Sequence, residues 1–285
     1  SETLKMTARG FIYAVYGADY RKEMIHSVES VKRQMPDVPV TVFADARVEH
    51  ELIDECRLFD PDLGPDENVI RSLSRSPYER TIYLDSDVFA AAPVVELFDL
   101  MDAFDLGVVM DPMQSAGPTD DPQMAGFPWF NCGVICCRSG PSLASFVEAW
   151  LDAFNQYDSN SDQPAFRRAL VDSEIRYVTL PPAYNCLYGA FPGYLNGPVK
   201  LFHGRLRETD GAKGLRMKYD PARARTRLNA TSQPRVYRHG LGIQVQTESR
   251  LARLLHLMRV WGPRAALQEL RRHMRRGGAR NWLDG

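Results

Sequence analysis

The sequence contains no apolar run of the ~20 residues that a membrane-crossing helix needs. Residues 1–9 also lack the apolar stretch of a secretory leader. Both absences lead to the expectation of a cytoplasmic chain. Cysteine is scarce, five in 285 residues, and Cys132, Cys136 and Cys137 crowd one apolar stretch without paired Cys-x-x-Cys spacing. A zinc site of that kind is disfavoured, and reduced, buried thiols are expected. Glycine and proline are not in excess, at 20 and 19, and 44% hydrophobic with 25% charged residues is near the globular average. Fibrous, disordered and low-complexity chains are thereby excluded. The length suits two domains, or one large α/β domain with an appendage.

The formal net charge of -1 hides an asymmetry. Residues 1–200 carry 16 Lys+Arg against 30 Asp+Glu, and residues 201–285 carry 19 against 6. A basic tail of this kind seeks a polyanion, whether nucleic acid, an anionic lipid surface or the acidic body itself.

Periodicity predicts strands alternating with helices. Gly10 to Val15 reads as a strand, followed by a helix with Met24, Ile25, Val28 and Val31 at helical spacing until Pro36. Further strands are expected over 38–43, 80–84, 106–110, 133–137, 176–180 and 199–202. Helices are expected after Pro93 to Phe104, over 163–170, and where Leu143, Phe146, Val147, Trp150, Leu151 and Phe154 form one stripe. This alternation implies right-handed crossovers and a mostly parallel sheet covered on both faces, with ligands bound beyond the carboxyl ends of the strands. Asp45, Asp85, Asp87, Asp111 and His203 all follow such ends. Residues 205–247 read as a long irregular region.

Asp85 and Asp87 flank Ser86 directly after an apolar strand. Two carboxylates so close repel each other, and a divalent cation between them and a phosphate relieves the repulsion. The segment Ser76-Pro-Tyr-Glu-Arg-Thr-Ile-Tyr-Leu-Asp-Ser-Asp-Val88 resembles the Asp-x-Asp segment of GT-A-fold glycosyltransferases. It is most similar to the glycosyltransferase family 8 group, which includes glycogenin and bacterial galactosyltransferases. Phe130-Asn-Cys-Gly-Val-Ile135, Asp162-Gln163 and Phe202-His-Gly-Arg205 match further segments of that group in the same order.

The resemblance implies a GT-A, Rossmann-like α/β fold and transfer of a sugar from a nucleotide-diphosphate-sugar donor, a UDP-sugar above all, with retention. It implies Asp85, Asp87 and His203 as ligands of Mn²⁺ or Mg²⁺, the imidazole tilting the choice toward Mn²⁺. Tyr16, Gly17, Ala18 and Asp19, with Asp45, are expected around base and ribose. Arg71, Ser86, Gly204 and Arg205 are expected near the diphosphate, with Lys213 as a second cation. Arg205-Leu-Arg207 stands where the family carries Lys-Pro-Trp. Asn131, Asp162 and Gln163 are the expected catalytic and sugar-reading residues, with Asp162 also a candidate helix N-cap. Phe127 and Trp129 suit either a sugar or lipid acceptor or the core.

Three segments are expected: a catalytic domain over 1–205, an irregular basic region over 206–247 and an Arg-rich amphipathic tail over 248–285. In the tail, Leu251, Leu254, Leu255 and Met258, then Leu267, Leu270 and Met274, stripe two helices otherwise studded with arginine. Such helices suit an anionic membrane surface, placing the protein peripherally on the inner face, or pack on the body or on a second copy in a homodimer. Nucleic acid is the weakest of the partners. The acceptor is open among carbohydrate, lipid and small molecule. Two other functions remain: a non-catalytic nucleotide-sugar-binding or membrane-scaffold protein of the same fold, and an Asp-x-Asp phosphohydrolase. The phosphohydrolase pattern wants Thr or Val where Phe89 stands.

Overall fold

The computed structural model describes residues 7–111, 122–156, 162–187, 193–205, 220–238 and 242–244, with short pieces at 258–259, 262–264, 267–268 and 271. The chain opens with β1 (Thr7–Val15), α1 (Ala18–Gln34), β2 (Val40–Ala44), β3 (Glu55–Leu58), α2 (Pro65–Ser74) and β4 (Tyr78–Leu84). It continues through β5 (Val88–Ala90), α3 (Glu96–Leu100), β6 (Leu106–Met110), α4 (Pro122–Ala125), β7 (Phe130–Arg138), α5 (Pro141–Gln156), α6 (Gln163–Asp172) and β8 (Tyr177–Leu180). Last come β9 (Gly193–Leu195), β10 (Leu201–His203), α7 (Pro221–Leu228), β11 (Arg235–Arg238) and β12 (Gly242–Gln244).

Seven strands form one sheet in the order β3-β2-β1-β4-β7-β6-β8. β7 runs antiparallel to both neighbours, and the other pairings are parallel. The expected α/β class, mostly parallel and Rossmann-like, is what the chain adopts. Side-chain alternation along β1 explains the layers. Phe11, Tyr13 and Val15 pack with Met24, Val28 and Val31 of α1 and Phe98 of α3. Ile12 and Ala14 point the other way, joining Ile70 of α2, Phe146 and Trp150 of α5 and Phe166 of α6. Trp150 and Phe166 meet edge-on with centroids 4.7 Å apart, a contact worth about 1 kcal/mol beyond its buried area. That contact fixes α6 on α5, and Trp150 Nε1 donates to the carbonyl of Asp162 at the head of α6 at 3.2 Å.

Beyond Asp87 the chain leaves this sheet as β5 and pairs antiparallel with β10, which sets His203 opposite Val88. A polar stripe on α1 pins the same segment. Ser86 Oγ donates to Glu23 Oε2 at 3.3 Å, Ser27 Oγ donates to the Val88 carbonyl, and the Ala90 amide donates to Ser30 Oγ at 2.8 Å. These three α1 residues follow i, i+4 and i+7 spacing, so one helix face carries them all.

Several expectations need correction. The helix after Pro93 is only the short α3, because Met101 to Ala103 turn out of it before β6. The second strand starts at Val40, not at residue 38. β3, β5 and β9 had no expected counterpart; they are three or four residues long, too short to show a period. The region over 206–247, expected to be irregular, holds α7, β11 and β12, and β11 pairs with both β12 and the earlier β9 in a small sheet. Asp220 caps α7 by accepting from the Ala222 and Arg223 amides at 2.9 and 3.1 Å, with Pro221 at the first helical position. Ala224, Leu228 and Tyr237 pack against Cys186, Leu195 and Phe202. Cys132, Cys136, Cys137 and Cys186 are buried free thiols, as expected, and Cys56 is half-buried. Most of the tail, and Lys213, lie outside the described residues. Among the described residues no helix is long and apolar enough to cross a membrane.

Candidate active site

A cavity of about 400 Å³ opens at the carboxyl ends of β1 and β4, lined from these strands, β7, α2 and the head of α6. Asp85 follows β4, Asp87 precedes β5, and β10 carries His203 back to them from far along the chain. One ligand atom from each lies within 4.8 Å of the others, a span that one divalent ion bridges at ordinary ligand distances. His203 Nε2 stands 3.1 Å from Asp87 Oδ1 and 3.5 Å from Asp85 Oδ2. Asp87 and His203 are buried, while Asp85 is partly exposed to the cavity.

Neighbouring backbone and side chains hold this group in place. The Asp85 amide donates to the Gly133 carbonyl at 2.9 Å, and the Gly204 amide donates to the Asp87 carbonyl at 3.1 Å. Gly204 has φ of 142°, a conformation that glycine takes at little cost. Tyr83 donates from its hydroxyl to Asp85 Oδ1 at 2.8 Å. Burial and then the Asp85 charge raise the Tyr83 pKa well above the phenol range, so it remains a donor. A Cβ on Gly133 would come within 2.2 Å of His203 Cε1 and 2.9 Å of Asp85 Oδ2. The missing side chain is what lets imidazole and carboxylate converge.

The lining is strongly acidic, with Asp66, Asp85, Asp87 and Asp162 opposed by the guanidinium of Arg205. Burial first, and then Asp85, push the Asp162 carboxyl up to about 7. A diphosphate entering this field is repelled unless a cation neutralises it. Oxygen donors with one imidazole suit Mn²⁺ or Mg²⁺, so the donor set fits such an ion. Burial raises the Cys132 thiol well above its ordinary range, which leaves it protonated and a poor nucleophile.

Of the residues expected here, Asp85, Ser86, Asp87, Asp162, Gln163, Arg205 and Tyr16 line the cavity. Tyr16 stacks on Phe59 at its mouth. Gly17, Ala18, Asp19 and Asp45 do not line it. Gly17, at φ 95°, donates its amide to Asp45 Oδ2 at 3.1 Å, and Asp45 also pairs with Arg21. These bonds outweigh burial and keep the Asp45 carboxyl below its ordinary value. Asp45 therefore holds the first loop rather than touching the cavity. Arg71 is turned away, its guanidinium paired with Glu67 and Glu148.

Asn131 is not in the lining either. It sits buried behind His203, where its Oδ1 accepts from the Gly133 amide at 3.1 Å and from Asn185 Nδ2 at 2.8 Å. Asp162 takes the N-cap position of α6 without a side-chain cap bond. Arg205 stacks 4.6 Å over the Tyr20 ring, pairs with buried Glu23 and lies 3.9 Å from Asp87 Oδ2. Phe127 packs edge-on against Phe130, and Trp129 lies 4.7 Å under the Arg167 guanidinium. Glu23 and Asn185 escaped sequence reading, and Tyr83 and Gly133 entered it only as members of matched segments, with no role assigned. Of the two missed, Glu23 carried a signal, as a charged residue in register with Ser27 and Ser30 on the otherwise apolar face of α1.

The fold and site together define an α/β chain with an Asp-x-Asp and imidazole cluster in an acidic cleft at the strand ends. No family model matches the sequence, and no curated protein matches it. Among solved structures, the glycosyltransferase GlyE of Streptococcus pneumoniae TIGR4 is 16% identical, with 64% of this chain aligned to 47% of that one and a TM-score of 0.48. This chain thus spans about half of GlyE. An active-site mutant of LgtC is 14% identical over 71% of this chain and 91% of that one, with a TM-score of 0.49. Mouse xyloside xylosyltransferase 1 is 13% identical over 72% and 100%, with a TM-score of 0.44. Likenesses this distant leave the chemistry to be argued from the side chains.

Proposed function

We propose that the chain is a metal-dependent glycosyltransferase of the GT-A kind, moving a sugar from a nucleotide-diphosphate-sugar, a UDP-sugar first of all, to a hydroxyl-bearing acceptor with retention. The observation that carries this reading is the meeting of buried His203 with Asp85 and Asp87 at the wall of a cleft that Asp66, Asp85, Asp87 and Asp162 line. A bound Mn²⁺ or Mg²⁺ supplies charge neutralisation and Lewis-acid pull on the departing diphosphate.

The chain's own residues do the rest. Asp85, Asp87 and His203 hold the ion. Arg205, set by Glu23 and Tyr20, offers its guanidinium to the diphosphate. Tyr16 and Phe59 offer a ring face to the base. Gln163 and Asp162, which also line the cavity, hydrogen-bond the sugar hydroxyls and so select the donor.

Calorimetric titration of UDP and other nucleoside diphosphates, with and without Mn²⁺, tests the reading. Binding is expected only with the ion, followed by slow hydrolysis of one nucleotide-sugar and transfer once the acceptor is supplied. Proton NMR of the product anomer tests retention. Equal binding with and without metal, or release of phosphate from simple phosphomonoesters, overturns the proposal. For the basic tail we propose contact with an anionic membrane surface on the cytoplasmic side. A chain ending at residue 247 is then expected to lose sedimentation with anionic liposomes while keeping donor hydrolysis.

A further inference from the structure

The two nitrogens of the His203 imidazole, 1% exposed, face different neighbours. Nε2 looks toward Asp87 and Asp85, and Nδ1 lies 2.9 Å from Asn185 Oδ1. Which nitrogen carries the proton decides whether Nε2 can ligate, because a ligand nitrogen must offer a lone pair.

A chain of hydrogen bonds settles the question, and it starts from a backbone donor that cannot be reversed. The Gly133 amide donates to Asn131 Oδ1 at 3.1 Å, which identifies that atom as the amide oxygen. Asn185 meets Asn131 through Nδ2, 2.8 Å from this oxygen and 3.5 Å from the Asn131 backbone carbonyl. Two acceptors surround that end of Asn185, so it is the amino end. Its oxygen therefore faces His203, and an amide oxygen only accepts. Nδ1 is the donor. Asn185 is 2% and Asn131 4% exposed, so water offers no easy substitute for these bonds. The backbone holds the pair in register as well, since the His203 amide donates to the carbonyl of Cys186, next to Asn185, at 2.9 Å.

We propose that Asn185 is the positioning residue of the metal site: it accepts the Nδ1 proton of His203 and thereby aims the Nε2 lone pair at the space shared with Asp85 and Asp87. Asn131, expected to read the donor sugar, instead orients Asn185. The inference rests on the metal-dependent reading and names the residue that makes the imidazole a ligand.

The test uses the full chain labelled with ¹⁵N. In the metal-free wild type, long-range ¹H–¹⁵N correlation is expected to show a proton on His203 Nδ1. An unprotonated Nδ1 overturns the proposal without any variant. Asn185→Leu keeps similar bulk and removes the acceptor; the proton is expected to move to Nε2, and Mn²⁺ affinity, read by EPR titration, to fall about 10–100-fold. Asn185→Asp keeps an acceptor toward Nδ1, which is expected to stay protonated, while its second oxygen opposes Asn131 Oδ1, so Mn²⁺ affinity is expected to fall less than in Asn185→Leu. Unchanged Mn²⁺ affinity in Asn185→Leu sinks the proposal. His203→Ala and Asp87→Asn separate the two readings. If neither alters Mn²⁺ binding, the metal site itself is wrong; if both abolish it and Asn185→Leu does not, only the role of Asn185 fails. Should the Leu variant not fold, the wild-type spectrum and the Asp variant decide.

Discussion

A Cβ placed on Gly133 would lie 2.2 Å from Cε1 of His203, and the atoms that would have to yield belong to a fully buried ring. The imidazole is hemmed by β5, by Asn185 and by the two aspartates, so it has no direction in which to retreat.

Gly133→Ala is therefore expected to push His203 off the aspartates. Forcing an extra methyl into a packed site costs about 1–3 kcal/mol. The measurements are urea unfolding, where the midpoint falls, and Mn²⁺ titration, where affinity falls far more than stability does. A variant that binds Mn²⁺ normally shows that the ring has room.

Arg205 and Glu23 form a pair in which the carboxylate is fully buried and the guanidinium 16% exposed. Arg205→Met leaves Glu23 without that partner, which is expected to destabilise the chain by about 3 kcal/mol. The double variant Arg205→Met with Glu23→Gln is expected to recover most of that stability and still bind UDP weakly in the presence of Mn²⁺. A double variant with full affinity would show that the diphosphate does not use Arg205.

Asp162 titrates near 7 in the folded chain, above the ~3.9 of an unfolded aspartate. Between those values the folded state holds more protons, so the metal-free chain loses stability as pH rises from about 4 to 7. Asp162→Asn is expected to flatten this decline in denaturant midpoints measured across that range. An identical slope in the two proteins rules out the raised carboxyl.

Asp105 behaves in the opposite sense. Burial alone would raise its carboxyl, but hydrogen bonds from Arg176 and Arg138 overcome that and hold it below the ordinary value. Arg138 Nη2 lies 2.7 Å from Oδ1 and Arg176 Nε 3.2 Å from Oδ2, so one carboxylate ties β6 to β7 and β8. Its contribution is complete above about pH 4 and disappears as pH falls through the lowered folded value. Asp105→Asn is expected to cost about 2 kcal/mol at pH 7 and progressively less as the pH falls below about 4, read from the same unfolding curves.

Much of the site was legible. Local pattern placed Asp85, Asp87 and His203 at strand ends together with Asp45 and Asp111, and the family resemblance singled out those three as ligands. Asn131 was assigned to the sugar through the matched Phe130–Ile135 segment, and it lies outside the cavity lining, bonded to Asn185. Pairing along β7 jumps from Val108↔Ile135 to Val109↔Asn131, an irregularity that breaks the alternation by which faces are assigned. Asn131 is buried beside this irregularity, 4% exposed. Asn185 was invisible because a short turn has no period and its partners come from β7 and β10. Arg71 looked well placed on α2, but two glutamates on the outer surface claim it.

The order of apolar runs and polar stops dictated, unaided, an α/β chain with acidic groups gathered at its strand ends, because burial demands a period of 2 or 3.6 wherever a strand or helix has one wet face. Only tertiary structure decided which groups meet. The pairing that sets His203 against Val88 joins residues far apart in the chain, and no local spacing encodes it. The same holds for the amide chain from Gly133 to the imidazole, which exists only once β7, β10 and the turn before Cys186 have packed together.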